Sequence, residues 1–297
     1  MSEPPVTDFS GDHVVYFHSS AKMEEIPDDT IDLTVTSPPY GLGVAYAESD
    51  DNKNGNSEVA VKSWADYRRY LRGLEAVWRE VYRVTRPGGY VIIDVAPTHG
   101  KSEYFGHSLM LPIPYDVSNF FRSKLGAEHR WEYVWYAQRA RTNSYSMPVA
   151  FLGSYPKPIE GQVLREIESV LVFRKVPFTQ EQLWYGDRKE RRARSVISDA
   201  DWRKVYSQVW DFPGASKENV DGVEHPAPFP EEIPRRCILG YSCVGDTVLD
   251  PFAGTGTTLA VAKTLGRKSI GYEIEPRFRR HIELKLSTGV SPMSEVW

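Results

Sequence analysis

Val248-Leu249-Asp250-Pro251-Phe252-Ala253-Gly254-Thr255-Gly256-Thr257-Thr258, continued by Leu259-Ala260-Val261-Ala262, reads as a strand, a glycine turn and the start of a helix. Glycines at such a turn let a ligand approach the backbone, and the helix N-terminus faces that ligand. The next apolar run, Ser269-Ile270-Gly271-Tyr272-Glu273, is a second strand ending in an acid. A carboxylate about twenty residues past the glycine turn is placed to accept both hydroxyls of a ribose. The third glycine of Gly-x-Gly-x-x-Gly is missing, because Leu259 holds that position. A nucleoside-type ligand without a pyrophosphate therefore fits better than a dinucleotide.

Far upstream, Thr36-Ser37-Pro38-Pro39-Tyr40 follows the β-branched and apolar run Ile31-Asp32-Leu33-Thr34-Val35, itself bounded by Pro27-Asp28-Asp29. The motif thus sits at the C-terminal end of a buried strand. Paired prolines fix φ and remove two N–H donors, which leaves a rigid loop offering carbonyl oxygens and the Ser37 hydroxyl as acceptors. Tyr40 adds a face on which a flat ring stacks, an interaction worth roughly 1–3 kcal/mol per base. Acceptors beside a stacking face suit a nucleobase that carries an exocyclic amine.

The chain has 297 residues and a mass of 33.8 kDa, enough for one α/β domain with a modest insertion. A hydrophobic fraction of 41% and a charged fraction of 26% are those of a soluble globular protein. No apolar run reaches the ~18 residues that span a bilayer, and Met1-Ser2-Glu3-Pro4-Pro5 lacks the features of a signal peptide, so a cytoplasmic protein with no membrane partner is expected. Cys237 and Cys243 have no metal-site spacing, and no metal is expected. Neither is preceded by proline, and both are most simply reduced, structural residues. The net charge of −4 argues weakly against nucleic-acid binding, so the distribution of charge matters more than its sum.

In chain order, residues 1–12 read as a loosely attached leader and His13-Val14-Val15-Tyr16-Phe17-His18 as a strand. The polar stretch 48–57 reads as a loop beside the site. Ser63 caps a helix, with Asp66 completing a capping box, and Tyr67, Tyr70, Leu71, Leu74, Val77, Trp78, Val81 and Val84 form its apolar stripe as far as Pro87-Gly88-Gly89. Tyr90 to Val95 is a buried parallel strand, Tyr115 to Leu125 a helix, and Trp131 to Tyr136 a strand. This alternation predicts a doubly wound sheet. From Ala137 to about Val223 the alternation fades. Within it, residues 186–204 carry Arg188, Lys189, Arg191, Arg192, Arg194, Arg203 and Lys204 against Asp187, Glu190, Asp199 and Asp201, with Trp184, Tyr185 and Trp202 interleaved. A local excess of positive charge with aromatics is suited to phosphate contact and base-edge readout.

With both motifs in view, the chain resembles the amino-group DNA methyltransferases, specifically their permuted β subgroup, in which the catalytic tetrapeptide precedes the cofactor loop. The resemblance implies a Rossmann-like, circularly permuted α/β sheet with an inserted target-recognition region. It divides the chain into a catalytic half (13–136), a DNA-facing region (137–223) and a cofactor half (224–297). It implies S-adenosyl-L-methionine as methyl donor, held by Asp250, Pro251, Phe252, Ala253, Gly254, Thr255, Gly256, Thr257 and Glu273. His225-Pro226-Ala227-Pro228-Phe229-Pro230 resembles the family's segment before a helix, from which Phe229 and Pro230 line the cofactor. Ser37, Pro38, Pro39 and Tyr40 are the implied catalytic residues, and Ser in the first position goes most often with N4-methylation of cytosine. Gln138-Arg139-Ala140-Arg141-Thr142-Asn143, Gly153-Ser154-Tyr155-Pro156-Lys157-Pro158 and the strand Ser169 to Lys175 resemble segments that flank the target base. Arg188, Lys189, Arg191, Arg192 and Arg194 fall where the subgroup places DNA contacts. Where relatives often have Gly-Asp near the adenine, this sequence has His18-Ser19-Ser20. Double-stranded DNA is the implied partner, and a companion restriction endonuclease is expected by analogy.

Overall fold

The computed structural model describes residues 3–7, 10–39, 61–137, 166–183, 188–216, 218–225 and 229–289. Tyr40, the 48–57 loop, the segments 138–143 and 153–158, Trp184, Tyr185, Asp187 and Pro226-Ala227-Pro228 lie outside the described residues. The first half runs β1 (Glu3–Thr7), β2 (His13–Phe17), β3 (Ile31–Thr36), α1 (Trp64–Val84) and β4 (Thr85–Val95), then a short excursion of β5 (Thr98–Gly100), α2 (Ser102–Phe105) and β6 (Leu109–Leu111). Next come α3 (Ile113–Ser123), β7 (Glu128–Tyr136), β8 (Ile167–Arg174), α4 (Gln180–Leu183), α5 (Arg188–Ala193), α6 (Asp199–Val205) and β9 (Val209–Asp211). The last part holds β10 (Glu218–Val220), β11 (Val223–His225), α7 (Glu232–Tyr241), β12 (Thr247–Asp250), α8 (Thr257–Thr264), β13 (Lys268–Tyr272) and α9 (Arg279–Thr288).

Nine strands form one sheet in the order β1-β2-β13-β12-β3-β4-β8-β7-β9. β2, β13, β12, β3 and β4 are mutually parallel. β8 runs against both its neighbours, which makes β7 and its partner β9 parallel to β4. Every strand except β8 and β1 therefore ends at one edge, the edge where doubly wound folds place ligands. The motif-bearing strands, remote in sequence, are neighbours there: Val248 pairs with Leu33 and Leu249 with Thr34.

Helices cover both faces. Val91, Ile93 and Val95 of β4 pack with α1 and α3 on one side, whereas Ile92 packs with Ile233, Cys237 and Ile238 of α7 on the other. That double burial is why β4 reads as a continuous apolar run. The α1 stripe is buried as its spacing predicts, apart from the partly buried Leu71. The Ser63 hydroxyl accepts the Asp66 N–H at 3.1 Å, and the Asp66 carboxylate takes the Ser63 hydroxyl at 2.8 Å and the Lys62 N–H at 3.3 Å.

One expectation needs correction. Part of the leader, Glu3–Thr7, forms edge strand β1, paired antiparallel with β2. An edge tolerates Pro4 and Pro5 because an outward N–H is not needed. Within the stretch 137–223, β8 lies inside the sheet between β4 and β7, and β9 extends it.

Candidate active site

Strand β3 delivers Ser37 to the C-terminal edge, where Ser37 is half-buried and Pro38 buried. The Tyr70 hydroxyl of α1 donates to the Pro39 carbonyl at 2.9 Å, so a core helix pins the proline loop. Directly before Ser37, the buried Thr36 hydroxyl donates to Asp250 Oδ1 at 2.6 Å. The same oxygen accepts the Phe252 N–H at 3.0 Å. Burial raises the Asp250 carboxyl above its ordinary range, against which these hydrogen bonds act. Asp250 thus ties the proline loop to the glycine turn.

Beyond Asp250, Pro251 and Ala253 are buried, and Phe252 meets Trp78 edge-on at 5.7 Å. Gly254 and Gly256 have φ of 52° and 84°, left-handed values that a side chain would strain. The turn is closed by Ala253 N–H to the Tyr272 carbonyl at 2.8 Å and Gly256 N–H to the Ala253 carbonyl at 2.7 Å. Glu273, at the end of the adjacent strand, takes the Gly254 N–H at 2.7 Å and the Glu275 N–H at 2.8 Å, one on each oxygen. Burial pushes its carboxyl up to about 7, opposed by the two backbone donors.

That donor set fits a nucleoside cofactor. Each Glu273 oxygen takes one backbone N–H and keeps a second lone-pair direction, which is what a ribose diol needs. Lys285 Nζ, beside the turn, donates to Thr255 at 2.8 Å, Thr257 at 2.7 Å and Glu218 at 2.8 Å. Burial lowers the Lys285 ammonium below its usual range, with Glu218 opposing. His225 Nε2 lies 3.6 Å from where a Cβ on Gly254 would stand, and its buried Nδ1 has no partner among the described residues. Phe229 packs on the α7-side core, and Pro230 is buried at the start of α7.

Thr36 and Lys285 were missed by sequence reasoning. A threonine inside a strand beside a rigid loop is a weak signal that could have found the first. Lys285 sits in a charged helix and carries no signal. At the His18 position, the ring bonds Glu25 at 2.7 Å, and Glu25 also takes the Tyr272 hydroxyl at 3.0 Å.

Arg188 and Arg191 of the basic stretch, expected to contact DNA, are held in ion pairs at the opposite end of the sheet. Arg188 bonds Asp32 at 2.7 Å and Asp246 at 3.1 Å, and Arg191 bonds Asp246 at 2.5 Å. Asp32 is the second residue of β3 and Asp246 precedes β12, so both mark the N-terminal edge. Asp32 is five residues before Ser37, about 16 Å along a strand. Lys189, Arg192 and Arg194 ride on the same short segment and are exposed at that far edge. The two arginines clasp the sheet's base, the length of β3 away from Ser37.

Comparison with known proteins gives the class first. TTHA0409 of Thermus thermophilus, a candidate DNA modification methylase solved with S-adenosyl-L-methionine, matches with a TM-score of 0.70 at 28% identity, over 95% of this chain and 96% of that one. PvuII DNA methyltransferase (cytosine-N4-specific) shares the fold with a TM-score of 0.63 at 18% identity, over 95% and 88%. The architecture is that of S-adenosylmethionine-dependent DNA methyltransferases. The signature of the N6/N4 DNA methylases matches residues 31–284. Type II methyltransferase M.MjaI of Methanocaldococcus jannaschii is 32% identical over 94% of this chain and 92% of its own. M.MthZI of Methanothermobacter thermautotrophicus is 34% identical over 96% and 79%. The chain belongs to the N6/N4 DNA methylase family, enzymes that methylate an amino group of DNA. No described helix is long and apolar enough to cross a membrane.

Proposed function

We propose that the protein transfers a methyl group from S-adenosylmethionine to the exocyclic N4 amine of cytosine in duplex DNA. The observation that carries this reading is the Thr36–Asp250 bond, which sets Ser37 beside the glycine turn and Glu273 at one edge. The order of the two motifs supports the permuted β subgroup. A base inside a duplex does not reach that edge, so the cytosine is flipped, at a cost of a few kcal/mol for unstacking and unpairing. Tyr40 follows directly in the chain and supplies the stacking face.

When bound, S-adenosylmethionine supplies an electrophilic methyl on a sulfonium. Glu273 holds the ribose, Phe229 and Pro230 flank the ligand, and Gly254 and Gly256 let it reach the backbone. Ser37 Oγ and the Pro38 carbonyl accept the two amine N–H bonds, which favours tetrahedral nitrogen and aims its lone pair away from the ring. The Tyr70 bond to Pro39 fixes this geometry, so rate comes from positioning and electrostatics without a covalent enzyme intermediate. Serine at the first motif position supports cytosine. A second reading, N6 of adenine, is favoured by the kinship at 26% identity with DNA adenine methyltransferase YhdJ of Escherichia coli. The Type II relatives support a cytoplasmic restriction-modification setting, with a companion endonuclease as part of the proposal.

The test is mass spectrometry of nucleosides from unmodified duplex DNA incubated with the protein and methyl-labelled S-adenosylmethionine. Label on N4-methyldeoxycytidine is expected. Label on N6-methyldeoxyadenosine would keep the site and overturn the base assignment.

A further inference from the structure

We propose that a basic and aromatic platform built from residues 61–64 and 98–111 carries the DNA duplex flanking the flipped base. It rests on the DNA-methyltransferase reading above and relocates the DNA contact from the far edge of the sheet to the catalytic one. Sheet polarity sets the position: β4 ends at Val95 beside the Ser37 loop, the 98–111 excursion starts from that end, and α1 starts at Trp64 on the same side.

The two segments pack on each other. Lys62 and Lys101 each place Nζ 5.8 Å from the Tyr104 ring centroid. The Trp64 ring meets Phe105 at 5.3 Å and Tyr67 at 6.0 Å, both edge-on. The Tyr67 hydroxyl bonds Asp116 of α3 at 2.6 Å, and one turn further along α1 Tyr70 holds the Pro39 carbonyl. The platform is thus rigidly connected to the catalytic loop.

Its outer surface suits a duplex. Trp64 is 47% exposed and Met110 37%, apolar area that the fold does not use. Lys62 and Lys101 are exposed, and Arg68 and Arg69 add charge on the first turns of α1. Asp66 pairs with Arg69 at 2.9 Å and Glu103 with Lys101 at 3.6 Å. The Glu103–Lys101 pair is solvent-exposed and so contributes little, which leaves the lysine able to exchange its partner for a phosphate. In a chain of net charge −4, a local basic surface with an exposed indole at the catalytic edge matches phosphates and sugars.

The experiment is a salt titration of binding to a fluorescein-labelled, mixed-sequence DNA duplex with S-adenosylhomocysteine present. Each lysine that contacts a phosphate contributes about one to the slope of log K against log salt, so Lys62→Met with Lys101→Met is expected to flatten it by roughly two. Trp64→Ala is expected to weaken binding without changing the slope. Lys189→Met with Arg192→Met and Arg194→Met, on the far edge, is expected to leave slope and affinity as they are. Calorimetric affinity for S-adenosylhomocysteine, unchanged in all variants, shows that the fold is intact. An unchanged slope in the lysine variant, or a flattened one in the far-edge variant, would overturn the platform. Failure of the wild-type protein to bind the duplex would instead remove the DNA reading itself.

Discussion

At the scale of single residues, the site depends on two buried carboxylates, Glu273 and Asp250, both pushed up by burial. Burial lifts the Glu273 carboxyl to about 7, so this group favours the fold at low pH and that contribution is lost as pH rises through 7. Ligand binding runs the opposite way, because ribose hydroxyls need the ionised acceptor. Affinity for S-adenosylhomocysteine is therefore expected to level off above pH 8 and to be about tenfold weaker at pH 6. In Glu273→Gln, calorimetry is expected to find weak binding with a flat profile, and a flat wild-type profile over that range would contradict the role. Asp250 acts through Thr36. Thr36→Val removes that bond and lets the proline loop shift, so methyl transfer is expected to fall about ten- to a hundredfold. S-adenosylhomocysteine affinity is expected to change far less, and an equal loss of both would place the bond in the cofactor pocket's service alone.

At the scale of elements, α5 shows how charge local in sequence is balanced from distant parts of the chain. Its arginines form an excess of positive charge only within their own stretch. The acids that pair with Arg188 are 156 and 58 residues away in the chain. Removing Arg188 leaves Asp32 and Asp246 short of a cation at the sheet's base, Asp246 being fully buried. Arg188→Ala is expected to cost about 3 kcal/mol, seen as a lower urea midpoint, with the salt dependence of DNA binding unaltered. A stable Arg188→Ala variant with a flattened salt slope would return this helix to the DNA interface. By contrast α1, β3, β4, β12 and β13 are legible from sequence. Each buries a regular stripe or a continuous apolar run, and their turns carry glycines with left-handed φ at Gly254 and Gly256. β1 was not legible because Pro4 and Pro5 argue against a strand everywhere except at an edge, and edge position is a tertiary property.

At the scale of the molecule, two motifs far apart in sequence become one site because β3 and β12 lie side by side and parallel. That adjacency does not follow from either motif alone. The chemistry of the motifs, by contrast, was readable residue by residue: acceptors at Ser37, a turn open to a ligand at Gly254, an acid at Glu273. Lys285 shows the limit. It joins the turn at Thr255 and Thr257 to Glu218 of the hairpin before Phe229, a contact that only the folded chain creates. The most direct test of the central claim, that the edge carrying Ser37 transfers the methyl group, is single-turnover transfer of labelled methyl to duplex DNA by wild type and Ser37→Ala. The account predicts transfer by the wild type and a loss of about a hundredfold or more in Ser37→Ala, with S-adenosylhomocysteine and DNA affinities retained. Transfer by Ser37→Ala at the wild-type rate would contradict it.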